Sequence, residues 1–329
     1  MNPLELRQVG ATDVQVTSLG LGGAALGGLF TDVAEATAIE TVHAGLELGV
    51  KYFDTAPLYG HGKSEMYVGE GLGAAPRDSF VLSSKVGRVL DRVESQGETG
   101  IYVGLPPFEA VFDFSRDGIL RSIDESLGRL ALDRIDIAFI HDPDDHYEQA
   151  IGEAFPTLAD LRSQGVVRAI GAGMNQWETL ARFARDGDFD CFLLAGRYTL
   201  LDHSGLDELL PLCEEKRISI MLGGPYNSGI LASDLRPGSK YFYQDAPNEV
   251  LELARRIQLI CDRHGVPLKA AALQFGLAHP AVASTIPGAR SPEEVRENFA
   301  MVNHSIAPEF WAELKSAELI PEHAPTQTG

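Results

Sequence analysis

Apolar residues come in short runs along this chain, separated by stretches in which they recur every three or four positions. The first run, TSLGLGG (17–23), is followed by VAEATAIETVHAGLELGV (33–50), whose apolar residues fall on one face of a helix. KYFD (51–54) is a second run, SFVLSSKVG (79–87) a third and DRIDIAFIHD (133–142) a fourth, with the helical GILRSIDESLGRL (118–130) before the last. AFPTLADLRSQGVVRAIGAGMN (154–175) reads as a helix and then a fifth strand. DFDCFLLAG (188–196), RISIMLGG (217–224) and AVASTIPGAR (281–290) bring the strands to eight. The last runs into SPEEVRENF, whose Ser-Pro start suits a helix N-terminus.

Strands alternating with helices predict a parallel sheet covered by helices. Eight such units in 329 residues fit a closed (β/α)8 TIM barrel, an α/β fold taking up 1–329 as a single domain. The preceding LELRQVGATDVQVTSL predicts an N-terminal β-hairpin that plugs the barrel bottom. Two stretches, about 86–116 and 223–247, exceed plain connections and predict functional loops at the C-terminal rim. A doubly wound open sheet is the competing arrangement. It calls for a G-x-G-x-x-G turn after its first strand, and Gly20-Leu21-Gly22-Gly23-Ala24-Ala25 does not keep that spacing.

Charge narrows the choice of partners. With 27 basic and 47 acidic residues the net charge is −20, a surface that repels nucleic-acid backbones and anionic membranes. No apolar run approaches a membrane span, and MNPLELRQVG has no signal-peptide core, so a cytoplasmic protein with no membrane partner is expected. Cys191, Cys213 and Cys261 are odd in number and widely spaced, giving neither a disulfide framework nor a zinc pattern.

Chemistry in such a barrel sits at the C-terminal ends of the strands. The second strand ends in Asp54 and runs on to Tyr59, the third carries Lys85 at its end, and the fourth ends in His141. Each has an ordinary explanation alone: a turn-forming Asp, a solvated Lys, a hydrogen-bonding His. On three successive strands they point proton-bearing groups at one rim. A tyrosine has a pKa of about 10, and a nearby ammonium lowers it. Asp54 can hold that Lys, and His141 can orient a substrate oxygen. The set suits alcohol oxidation or carbonyl reduction, in which one group moves a proton and a nicotinamide moves a hydride. HDPDDH (141–146) raises a metal-dependent aldolase or hydrolase as a rival, but Pro143 forces a turn there and no metal site is expected.

FDTAPLYGHGKSE, LSSKVG and FIHD resemble the Asp, Tyr, Lys and His segments of the aldo-keto reductase superfamily, and the similarity extends from the glycine-rich first strand to STIPGARSPEEVRENF. The resemblance implies Asp54, Tyr59, Lys85 and His141 as a catalytic tetrad, and a nicotinamide dinucleotide bound along the rim. GMNQW, LLAGRYTLLD and GGPYNSGILA resemble a subgroup of sugar and pyridoxal dehydrogenases. An enzyme oxidising an aldose of L-fucose type, or else pyridoxal, is therefore expected. A cofactor-binding regulatory subunit is the alternative class, and the intact tetrad counts against it.

The resemblance also implies cofactor contacts. Asn175 matches the nicotinamide-holding Asn, and a helix N-cap is its other reading. The loop Gly224, Pro225, Tyr226, Ser228 and Gly229 resembles a pyrophosphate-binding loop. Ile286, Gly288, Arg290, Glu294, Glu297 and Asn298 resemble an adenosine site. Ala195 stands where relatives often carry Gln, and Gly223 where they often carry an aromatic. Glu294 occupies the place of a common 2′-phosphate-binding Arg, which implies NAD, with NADP possible.

Overall fold

In a computed structural model, which describes residues 1–94 and 100–327, the chain opens with a hairpin, β1 (Leu6–Gln8) and β2 (Gln15–Thr17). Next come β3 (Leu21–Gly22), β4 (Tyr52–Asp54), β5 (Val81–Val86), β6 (Arg88–Arg92), β7 (Phe108–Phe112) and β8 (Ile137–His141). They are followed by β9 (Ala169–Met174), β10 (Cys191–Ala195), β11 (Ser219–Gly223), β12 (Lys240–Tyr241), β13 (Gln244–Asp245) and β14 (Val282–Ile286). Eight of these, in the order β3-β4-β5-β8-β9-β10-β11-β14, form one parallel sheet. Its ends meet where Leu19 pairs with Thr285 and Gly22 with Gly288, and Gly20 N donates to Thr285 O at 2.9 Å. The sheet is thus a TIM barrel with helices around it, as the alternation of runs predicts.

The barrel's filling explains the short N-terminal hairpin. Val9, Val14 and Val16 join Tyr52, Val81, Ile137, Phe139, Leu193 and Met221 in one apolar cluster, so the hairpin closes the strand N-terminal end. Gly10 N donates to Ser219 Oγ at 2.8 Å, tying the turn to the start of β11.

Strand limits are tighter than the apolar runs suggest. The run 133–142 becomes strand only at Ile137; just before it the buried Asp136 carboxylate accepts from Leu82 N at 2.8 Å and from Arg77 at 2.7 Å, while its backbone N donates to Leu82 O at 2.9 Å and its O accepts from Ala169 N at 3.0 Å. The run 17–23 gives the barrel only the two residues of β3; Thr17 ends β2, and Ser18 N bonds back to Glu5 O at 2.9 Å. The run 281–290 ends at Ile286, and Pro287 turns the chain into the helix Pro292–Asn303. After β11 two helices follow in succession, Asn248–His264 and Leu268–Leu277, where the plain strand-helix alternation calls for one.

Both long stretches carry structure. β6 and β7 pair as an antiparallel ribbon, and β12 and β13 as a small hairpin. Leu29 pairs with Tyr102, which ties the segment after β3 to the segment before β7.

Candidate active site

β4 ends in Asp54, whose side chain is 2% exposed. Lys85, on the neighbouring β5, donates from Nζ to Asp54 Oδ2 at 2.8 Å, to Asp54 Oδ1 at 3.0 Å and to Thr55 O at 3.0 Å. Ser83 Oγ donates to Asp54 Oδ1 at 2.7 Å, and the Tyr52 hydroxyl stands 3.0 Å from Ser83 Oγ. Beyond β4 the chain makes a tight turn before the helix Lys63–Leu72. That turn presses on the segment after β3: a Cβ on Gly27 would sit 2.5 Å from the carbonyl carbon of Tyr59, so only glycine permits the approach. Tyr59 is thereby set over Lys85, whose ammonium lies 4.4 Å from the ring centroid. His141 meets the Tyr59 ring edge-on at 5.9 Å. Three strand residues and Tyr59, on the turn beyond β4, converge on one rim point.

Electrostatics of the cluster differ from the sequence expectation in one respect. Burial, then the Asp54 carboxylate, hold the Tyr59 phenol well above its ordinary pKa. The lowering expected from Lys85 does not prevail, because that ammonium is spent on Asp54 and Thr55. Burial, then Lys85 and Arg88, push His141 well below its ordinary value, so its imidazole is neutral. Its Nδ1 is buried and has no hydrogen-bond partner among the described residues. The cluster offers a phenol, a neutral imidazole and a buried ion pair, a set able to hold and move one proton at a substrate oxygen.

Beside His141 lies a cavity of about 140 Å³ lined by Tyr59, Lys85, Tyr102, His141, Asp142, Asn175 and Tyr243. Arg88 holds the Asp142 carboxylate at 2.8 Å. Burial raises the pKa of Asp142, and Arg88 opposes the shift. Tyr102, Tyr243 and Arg88 escape sequence reasoning because they sit on loop and ribbon segments without an apolar period, and Asp142 enters it only as part of HDPDDH. The one available signal is the aromatic cluster in KYFYQD inside a stretch too long for a connection.

A second cavity of about 330 Å³ opens from Tyr59 and Asp54 along the rim. It is lined by all twelve residues expected at a cofactor: Asn175; Gly224, Pro225, Tyr226, Ser228 and Gly229; and Ile286, Gly288, Arg290, Glu294, Glu297 and Asn298. Asn175 does not cap a helix. Its Nδ2 donates to Ala195 O at 2.7 Å, while the next helix begins at Trp177 with Gln176 as its uncapped N-cap. In the 224–229 loop, Gly224, Asn227, Ser228 and Gly229 all have positive φ, a conformation that turns successive backbone groups inward. The Tyr226 hydroxyl donates to Asn298 Oδ1 at 2.7 Å and Lys269 pairs with Glu297 at 2.7 Å, linking loop and helix walls. Ser291 caps the Pro292–Asn303 helix by accepting from Glu294 N, and Glu294 accepts from Arg290 N at 2.8 Å and from its guanidinium at 3.1 Å. Ala195 and Gly223 pair in register and line this cavity with no large side chain of their own, while Leu193 reaches toward Gly223.

HDPDDH resolves into separate roles. His141 faces the cluster, Asp142 binds Arg88, and Asp144–His146 forms one 3₁₀ turn, with the His146 ring 4.8 Å from Phe112. Among the described residues, no three His, Cys, Asp or Glu side chains are grouped to hold a metal ion. No helix among them is long and apolar enough to cross a membrane.

Comparison with known proteins agrees with this geometry. Residues 18–319 match the aldo/keto reductase family. The chain is 40% identical to pyridoxal 4-dehydrogenase of Microbacterium luteolum, over 96% of this chain and 98% of that protein. It is 39% identical to D-threo-aldose 1-dehydrogenase of a Pseudomonas species, over 94% and 97%. Its fold matches the holo form of the aldo-keto reductase AKR11C1 from Bacillus halodurans with a TM-score of 0.77 and 27% identity, covering 98% of each chain. The chain belongs to the aldo/keto reductase family and is an NAD(P)-dependent oxidoreductase.

Proposed function

From that membership, we propose that the whole chain works as one barrel that oxidises the cyclic hemiacetal of an aldose of L-fucose type to its lactone. The observation that carries the reading is the stacked cluster itself: Lys85 locked to Asp54 at 2.8 Å beneath the Tyr59 ring, with neutral His141 beside it. Asn175, the 224–229 loop and the Ile286–Asn298 segment hold the dinucleotide. When bound there, an oxidised nicotinamide would supply positive charge and the hydride acceptor for the hemiacetal carbon. Tyr59, as phenolate, takes the proton of the anomeric hydroxyl; as phenol it returns one in the reverse direction. His141 donates to the same oxygen and orients it. Asp54 and Lys85 fix the ring from below. The C–H pair leaves as hydride, the O–H proton goes to Tyr59, and the carbon–oxygen bond becomes the lactone carbonyl.

The smaller cavity supports a polyhydroxylated substrate. Tyr102, Tyr243 and Asp142 supply hydroxyl and carboxylate partners at its wall. Pyridoxal carries the same masked aldehyde, and the 40% identity to a pyridoxal 4-dehydrogenase favours it as the second reading. NAD is the proposed cofactor: Glu294 can accept from a ribose 2′-hydroxyl and repels a 2′-phosphate.

The test is a panel of aldoses and pyridoxal with NAD and NADP, with the early product followed by mass spectrometry in water enriched in heavy oxygen. A lactone free of solvent oxygen is expected. An acid carrying solvent oxygen before any lactone forms excludes the mechanism, and turnover of neither substrate class excludes the function.

A further inference from the structure

Tyr241 pairs with Gln244 across the β12–β13 hairpin, so its turn consists of two residues, Phe242 and Tyr243. Both have left-handed backbone, with φ of 45° and 65°. Such turns ordinarily take Asn and Gly, because a Cβ clashes in that region. Two consecutive aromatic residues there are held against their own preference, and conformations of this kind persist where the surroundings impose them.

The surroundings are identifiable. Phe242 packs against Gly196, where an added Cβ would meet its ring at 3.2 Å, and the Arg197 guanidinium covers the same ring at 3.9 Å. Tyr243 N donates to Ser228 Oγ at 3.0 Å, in the loop that lines the larger cavity. Phe242 therefore anchors the turn. Tyr243 is 39% exposed and lines both cavities at the point where they meet beside Tyr59 and Asn175. Ala195 and Gly223, which line the same larger cavity, offer no ring.

We propose that Tyr243 is a specificity-determining residue whose ring closes the junction between the dinucleotide cleft and the substrate cavity and packs on the bound substrate. This rests on the assignment of the two cavities given above. The unfavourable turn is kept because it is the geometry that places this ring.

The proposal separates stability from binding. Glycine is at ease at positive φ, so Tyr243→Gly should melt no lower than wild type. The same variant should raise the substrate KM about tenfold, the scale of one lost aromatic contact, with a smaller fall in kcat. Its calorimetric Kd for NAD should rise several-fold. Tyr243→Phe, which restores the ring alone, should recover most of both losses. Unchanged KM and NAD Kd in Tyr243→Gly, with wild type active, would overturn the proposal. So would a lower melting temperature in Tyr243→Gly that Tyr243→Phe restores, since the ring would then be a structural prop, and so would losses of binding that Tyr243→Phe does not recover, since the hydroxyl and not the ring would then make the contact. A wild type inactive on the whole panel would sink the functional reading, while the NAD Kd series would still decide for or against Tyr243.

Discussion

Replacing Lys85 with Met tests whether the Asp54–Lys85 pair is the buried unit on which the site rests. Both side chains are almost fully enclosed, at 1% and 2% exposure. Met fills much of the lysine stem's volume but leaves Asp54 with one side-chain donor, Ser83 Oγ. Removing one partner of a buried pair typically costs about 3–5 kcal/mol, because the remaining charge has no compensation. Unfolding entropy of about 2.1 cal/mol/K per residue gives about 0.7 kcal/mol/K for this chain, so the melting temperature should fall by about 4–7 °C. Asp54→Leu combined with Lys85→Met removes both charges, and apolar replacement of a whole buried pair is often neutral. The double variant should therefore melt above Lys85→Met while remaining as inactive. Calorimetry on the three proteins, with turnover measured in parallel, is the assay. Equal melting temperatures for the single and double variants would refute the argument, since Asp54 would then be no isolated charge in the single variant.

Tyr59→Phe should lower turnover by about 10²–10⁴-fold, the usual worth of a general acid–base group, with NAD affinity by calorimetry unchanged; near wild-type turnover removes Tyr59 from the mechanism. Because burial and Asp54 raise the Tyr59 pKa, the phenolate is scarce at neutral pH and oxidation should accelerate as pH rises above it; a flat kcat/KM profile there counts against the phenolate as proton acceptor. Glu294→Arg removes the carboxylate that engages Arg290 and should shift kcat/KM from NAD toward NADP; a ratio that does not move places cofactor choice elsewhere. His203 and His279 are pushed down to about 4 by burial. The unfolded chain takes up protons on these rings from about pH 6.5 downward, so their contribution to stability is whole above that pH and is lost as pH falls toward 4. The fall in melting temperature over that window should shrink in His203→Gln, and an unchanged slope speaks against it.

The parts of the site that the sequence makes legible are those borne by strands. Asp54, Lys85 and His141 each stand at the end of an apolar run, where the period-two pattern and the barrel rule together give both direction and height. The same logic misjudges run ends, as at 133–136, because the extent of an apolar run does not mark where pairing as strand begins. What the pattern misses belongs to the ribbon and hairpin above the rim. Arg88, Tyr102 and Tyr243 take their positions from contacts distant in sequence, such as the Leu29–Tyr102 pairing and the Tyr243–Ser228 hydrogen bond. The β12–β13 turn carries neither Gly nor Asn at its centre, so the usual hairpin signal is absent. The cofactor residues are legible by resemblance rather than by period, since glycines and a capped helix start are common to many loops.

β5 shows how the strand-borne half is held in place. A strand between two parallel neighbours ordinarily reads as a continuous apolar run, yet this one is VLSSKV, and four consecutive residues each serve a buried carboxylate. Leu82 N donates to Asp136 at 2.8 Å, Ser83 Oγ to Asp54 at 2.7 Å, Ser84 Oγ to Glu65 at 2.6 Å and Lys85 Nζ to Asp54 at 2.8 Å. Glu65 is also bound by Arg129 at 2.6 Å. Side chains alternate between the two faces of a strand, so Ser83 and Lys85 point to Asp54 while Ser84 points away from them to Glu65. A slip of one residue would exchange the faces, placing Lys85 beside Glu65 and leaving Asp54 without its cation. Buried charges of this kind add little net stability as a group, but each misaligned register leaves at least one of them unpaired at a cost of several kcal/mol. The polar strand thereby fixes the height at which Lys85 meets the Tyr59 ring, a position that an all-apolar strand would leave to packing alone.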